Sequence, residues 1–307
     1  MIHYNIHRLP AMASGAFLVL WMSLCTAVPT VCATAPVQVV VSILPQKYFV
    51  ERIGGRRVTV SALVGPGQSP ATYEPSPRQM LTLARAQIYF RIGVPIEAAL
   101  IPRIRQMYPK LRISDTREGV QLRLMDTSAE IFGDSHKPAH HHTEARDPHI
   151  WLSPALVKIQ AHNIARTLSA ADPAGADYYR TQAQLFTGEL AELEQELTGA
   201  LSHLSGRRIL VFHPAWGYFA DQFQLQQLPV EISGKEPSPR QLARIIEFAK
   251  RENIRVMFVQ SQFSGSGARA IMDAMDGVVV SLDPLGESYP DNLRRIANTV
   301  AQHFLEP

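Results

Sequence analysis

EPSPRQLARIIEFAKRENIRVMFV, residues 236–259, reads as a helix start, an amphipathic helix and a strand in direct succession. Ser238 stands where a capping hydroxyl is wanted, and Pro239 takes the first helical position, whose N–H has no intrahelical partner in any case. Gln241 is then placed to reach back to the cap. Leu242, Ile245, Ile246 and Phe248 recur at helical spacing, and residues 255–259 form a short strand-like run. The same hexapeptide opens EPSPRQMLTLARAQIYFR at residues 74–91, with Met80, Leu81, Leu83 and Ala84 as the apolar positions and a strand-like run behind. Ser-Pro begins many helices, so six shared residues also arise by chance. A helix and a strand follow both copies, however, and the repetition predicts two lobes of similar α/β design.

The flanking sequence extends this reading. Apolar runs at 37–43, 58–63, 88–91 and 111–114 are expected strands of a first lobe; runs at 208–212, 229–232, 256–259 and 278–282 are those of a second. Helical patterns alternate with them, as a mostly parallel sheet requires. Between the halves, Phe186, Leu190, Leu193, Leu197, Leu201 and Leu204 recur at three- and four-residue spacing. Asp172 is placed to cap that helix, Pro173 to begin it and Gly206 to end it. About 30 residues at 1.5 Å each span roughly 45 Å, enough to run along both lobes. The expected organisation is an N-terminal lobe over 34–171, a linking helix over 172–205 and a C-terminal lobe over 206–307. A single helical backbone of this kind restricts opening to small tilts.

Residues 1–33 are expected to lie outside the fold. They carry one basic residue, Arg8, no acid, and an apolar stretch ending near Val28, with Val31 and Ala33 as the small residues of a cleavage site. Cys25 and Cys32, the chain's 2 cysteines, both fall in this leader. An exported chain cleaved there has no disulfide and depends on its core. With 30 basic and 27 acidic residues the net charge is +3, and no basic stripe is interleaved with aromatics, so nucleic-acid binding is not expected.

Three residues carry the candidate chemistry. His149 in DPHIW, His213 in VFHPAWGYF and Asp283 in VVVSLDPLG each stand beside an apolar run, the last two directly after one. Open α/β sheets gather ligands at the carboxyl ends of strands. Two imidazoles and a carboxylate suit zinc better than calcium or magnesium, while a more oxygen-rich shell suits manganese. Taken singly, such a histidine is more often structural and such an aspartate more often a cap. Residues 133–147 break the periodic pattern. They hold His136, His140, His141 and His142 amid Lys, Pro and acidic residues, and read as a mobile surface loop whose histidines are auxiliary metal donors.

In the order and spacing of SILPQKYFVERIGG, LVGPGQSPATYEPSPRQ, DPHIWLSP, VFHPAWGYFA, VQSQFS and LDPLG, the chain from Val37 to Phe304 resembles the zinc/manganese solute-binding proteins of ABC transporters. The resemblance implies two α/β lobes on a backbone helix. It also implies a Zn2+ site, with Mn2+ as the competing metal, and delivery of the metal to a membrane permease. Carried over residue by residue, it makes His149, His213 and Asp283 metal ligands. The family's first histidine falls on Ala71, which has no donor atom. Glu74 and Glu236 stand near, but their place beside helix starts suits capping or lobe bridging; Trp216 and Tyr218 are expected to pack around the metal. A monomeric binding protein is the leading expectation. An exported zinc hydrolase with an open His/His/Asp site, or a binding protein turned to adhesion, are the alternatives; no HExxH helix supports the hydrolase.

Overall fold

Strands β1 (Val37–Val41), β2 (Val58–Ala62), β3 (Ile88–Arg91) and β4 (Arg112–Asp115) form one parallel sheet in the order β2-β1-β3-β4. Strands β5 (Arg208–Val211), β6 (Gln226–Pro229), β7 (Val256–Gln260) and β8 (Val278–Leu282) form a second, also parallel, in the order β6-β5-β7-β8. The two orders are the same permutation. The computed structural model describes residues 1–3, 35–127, 146–231, 237–262 and 266–305. Most of the expected leader, residues 133–145 of the histidine tract, and Glu236 lie outside that set.

The helices repeat the permutation. In the first lobe α1 (Leu44–Gly54), α2 (Pro77–Arg85) and α3 (Ile96–Met107) follow β1, β2 and β3. α4 (Pro154–Ala171) and α5 (Ala176–Leu201) come next in the chain. In the second lobe α6 (Gly217–Gln222), α7 (Pro239–Arg251) and α8 (Ser266–Asp273) occupy the equivalent places, and α9 (Tyr289–Leu305) closes the described chain. The two hexapeptides therefore begin α2 and α7, which sit at the same point in their lobes. Both boxes form: Gln79 Oε1 accepts from the Ser76 backbone N–H at 2.9 Å, and Gln241 Oε1 from that of Ser238 at 2.9 Å.

The 26 residues of α5 span about 39 Å. Tyr179, Ala183, Phe186, Leu190, Leu193, Leu197 and Leu201 form its buried stripe, on which α1 of the first lobe, α4, and α9 of the second all pack. Phe49 from α1 meets Tyr289 edge-on with ring centroids 4.8 Å apart, and meets Phe186 at 5.9 Å. One apolar core is thus continuous from the first sheet through α5 to the second lobe.

Several sequence expectations need correcting. The sixth strand is Gln226–Pro229, not 229–232. It lies at a sheet edge, where the missing N–H of Pro229 is tolerated, and its polar Gln226 and Gln227 hid it. The apolar run beside His149, Ile150–Leu152, forms a 3-10 turn. Asp172 and Pro173 open a short 3-10 turn, Pro173–Gly175, and not α5, which Gly175 precedes; the Asp172 carboxylate accepts from Arg57 at 2.7 and 2.9 Å and from the Tyr179 hydroxyl at 2.8 Å. Helix α4 was not anticipated. Its polar Gln160, Asn163 and Thr167 are buried with its apolar residues, which blurs the periodic signal.

Candidate metal centre

His149 and His213 come from different lobes and meet, their ring centroids 5.4 Å apart at 75°. His213 lies two residues beyond β5, at the point where the second sheet's strand order reverses between β5 and β7. His149 precedes the 3-10 turn that leads into α4. The two rings line a cavity of about 90 Å³ together with Ala71, Trp151, Gln260 and Leu285. Ala71 therefore faces the same space as both histidines, brought there by the loop between β2 and α2.

Each imidazole is held by a carboxylate. Asp147 is fully buried, and its Oδ1 accepts from the His149 backbone N–H at 2.9 Å and lies 2.7 Å from His149 Nδ1. Burial holds the His149 imidazolium pKa below its ordinary value, against the opposing pull of Asp147. His213 Nδ1 lies 2.6 Å from Oε2 of Glu231, which is 7% exposed. A carboxylate on Nδ1 fixes the tautomer that leaves Nε2 as the metal-facing atom, the usual support of a ligating histidine.

The local chain explains both contacts. Asp-Pro-His closes an Asx-type turn two residues long, so Asp147 was legible from spacing, and its burial corrects the expectation that the surface loop runs through 147. Glu231 required the fold. Val211 pairs with Pro229, and the ladder continues through Val230 N–H to Val211 O at 2.9 Å and Glu231 N–H to Phe212 O at 2.9 Å. That register sets residue 231 beside residue 213. Tyr218 supports the far side of Asp147, its hydroxyl donating to the Asp147 carbonyl at 3.1 Å and accepting from Arg123 N–H at 3.0 Å. Burial pushes the Tyr218 phenol up to about 12, so it stays a neutral donor. Trp151 Nε1 donates to the Pro284 carbonyl at 2.8 Å, tying the first lobe to the loop after β8. Trp216 is buried, with its backbone N–H donating to Gln227 Oε1 at 2.6 Å.

Asp283 follows β8 directly, but the cavity is lined by its neighbours Pro284 and Leu285. Its Oδ1 accepts from Gln262 Nε2 at 2.8 Å and from the Leu285 backbone N–H at 2.9 Å. Both bonds fall on Oδ1, which leaves Oδ2 for a cation. Among the described residues, no three His, Cys, Asp or Glu side chains stand close enough to hold a metal in this conformation. The structure thus brings two of the three expected residues, His149 and His213, together and does not bring Asp283 to them. Glu74 is exposed. Glu97, unnoticed in the sequence, is 1% exposed and accepts from the N–H groups of Ile92 and Gly93 at 2.7 Å each. It shapes the turn that carries Val94 and Pro95 to the cavity, a turn in which Gly93 adopts φ +96°.

The model of the family described as zinc-uptake complex component A, periplasmic, matches residues 39–303. The chain belongs to that family. A putative metal-binding protein of Chlamydia muridarum (strain MoPn / Nigg) is 30% identical over 265 residues, covering 86% of this chain and 90% of its own length. The high-affinity zinc uptake system protein ZnuA of Bacillus subtilis (strain 168) is 24% identical over 279 residues, with 87% of each chain covered. A crystal structure of ZnuA superimposes with a TM-score of 0.80 at 37% identity, covering 87% of this chain and 98% of that one. The laminin binding protein Lmb of Streptococcus agalactiae, described as bifunctional with adhesin and metal transporting activity, gives 0.73 at 25% identity, covering 87% of this chain and 98% of that one. The two-lobed α/β fold is common to this family, whose location lies outside the cytoplasm.

Proposed function

We propose that this chain captures zinc outside the cytoplasm and hands it to the permease of an ABC transporter. One observation carries the reading: a buried imidazole, His149, and a half-buried one, His213, from opposite lobes face one another across a small cavity, each Nδ1 held by a buried carboxylate. That is the preparation of a ligand pair for a borderline cation. In this reading Nε2 of His149 and of His213 bind the metal, and a movement of the loop after β8 adds Asp283. Manganese is the competing cargo. A hydrolytic role is not favoured, because the family is a component of an uptake complex.

The finer features are part of the same proposal. The protein is a periplasmic monomer freed by cleavage after Ala33, has no nucleic-acid partner, and is divided at 171–172 and 205–206. His140, His141 and His142 gather metal weakly outside the described residues.

The decisive experiment is chelator competition on the metal-free mature chain with Zn2+ and Mn2+ in parallel. We expect one tight equivalent of Zn2+ and weaker Mn2+, with the tight equivalent lost in His149→Ala and in His213→Ala. Full-affinity binding in the double variant sinks the assignment. Removal of residues 133–145 is expected to eliminate weak extra equivalents and leave the tight one.

A further inference from the structure

Gln260 ends β7, is 6% exposed, and lines the cavity that holds His149, His213 and Ala71. Among the described residues its Nε2 has no hydrogen-bond partner. A buried donor without an acceptor is costly, and such a group calls for something outside the chain to supply the acceptor. Gln260 stands at the strand-order reversal of the second sheet, beside the strand that delivers His213. This is where open α/β sheets seat ligands.

The wall formed by Pro70 and Ala71 presents apolar side chains. The cavity therefore has two deficits: Ala71 provides no donor to a metal, and Gln260 has an N–H with no acceptor. One group corrects both, an oxygen that gives one lone pair to the metal and accepts the Gln260 N–H with another. The space suffices: about 90 Å³ is several times the ~10–15 Å³ that one water needs. A neutral amide also admits a negatively charged oxygen ligand, which a carboxylate at this position would repel.

We infer that the site takes its metal together with a small oxygen-donor co-ligand, water or a short carboxylate, held between Ala71 and Gln260, with Gln260 as the positioning donor. This rests on the metal reading above. The metal then exchanges by loss of a ligand that the protein does not own, a different device from a closed all-protein shell.

The test loads the mature chain with one equivalent of Co2+ and follows its visible spectrum while acetate is added. Wild type is expected to shift saturably if a carboxylate is accepted. Gln260→Met is then expected to weaken the acetate titration at least tenfold, read against the Co2+ each protein takes up. If the co-ligand is water alone, acetate leaves wild type unmoved, but the spectrum of Gln260→Met in plain buffer differs from it. Ala71→His, which leaves Gln260 untouched, is expected to move the spectrum and abolish any acetate response by filling the position with an imidazole. Identical spectra and titrations for wild type, Gln260→Met and Ala71→His overturn the inference. Failure of Co2+ to bind in a His213-dependent way is a separate outcome, and overturns the metal reading beneath it.

Discussion

Replacing Glu231 tests whether the carboxylate behind His213 prepares it for metal. The contact is short, 2.6 Å, and its acceptor is 7% exposed, so water competes poorly for it. In Glu231→Gln the amide oxygen still accepts from Nδ1–H, which preserves the tautomer and removes the charge that raises ligand basicity. In Glu231→Leu the acceptor goes as well and the ring is free to turn. Loss of such an outer contact weakens metal binding about 10–100-fold, or roughly 1.4–2.8 kcal/mol. Gln is expected near the lower bound and Leu near the upper. Zinc affinity by chelator competition gives the direct measure. At one fixed free-zinc concentration, the zinc-induced rise in Tm should also shrink by about 2–3 °C for a tenfold loss. Affinities within twofold of wild type for both variants, with unchanged apo Tm, would refute the argument that Glu231 orients a ligand.

Further predictions address the frame. A Cβ on Gly217 would lie 1.5 Å from Arg123 Nη1 and 2.9 Å from Asp147 Oδ2, so Gly217→Ala should destabilise by about 1–3 kcal/mol in denaturant unfolding. Gly188, exposed on α5 with nothing within 4 Å of a Cβ, should give the opposite sign on replacement by Ala, a gain of about 0.5–1 kcal/mol. Phe186→Ala removes the ring that joins α1 to α5 and should cost about 3–5 kcal/mol, seen as a lower unfolding midpoint. For Asp172, burial raises the carboxyl pKa, but the hydrogen bonds from Tyr179 and Arg57 outweigh it, and the net position is below the ordinary 3.8. Its stabilisation is then fully present above pH 3.8 and is lost as pH falls through the lower folded value. Asp172→Asn should be less stable than wild type at pH 7, by about 1–3 kcal/mol, with the gap narrowing only below pH 3.8. A gap that is constant down to pH 2.5 or so would contradict the linkage.

The sequence by itself determined what depends on neighbours along the chain. Both capping boxes follow from Ser-Pro-x-Gln within four residues, and seven of the eight strands follow from short apolar runs. The stripe of α5 was legible because leucines at helical spacing face one buried direction. The histidines could be named for the same reason, as polar residues set against apolar runs. Tertiary structure decided what depends on distance in space. Glu231 reaches His213 only through the β5–β6 register, and the polar Gln226 and Gln227 concealed that edge strand. Helix α4 was invisible because Asn163 is buried by donating its side-chain amide to the carbonyls of Thr116 and Glu118 at 3.0 and 2.8 Å, partners 47 and 45 residues away. Gln260 looks like an ordinary strand residue until the cavity beside it is known. Asp283 looks ready to bind until Gln262 and Leu285 are found on its Oδ1. Local propensity acts over a few residues of chain, whereas ligand geometry is set by side chains that meet only after both sheets have packed on one helix.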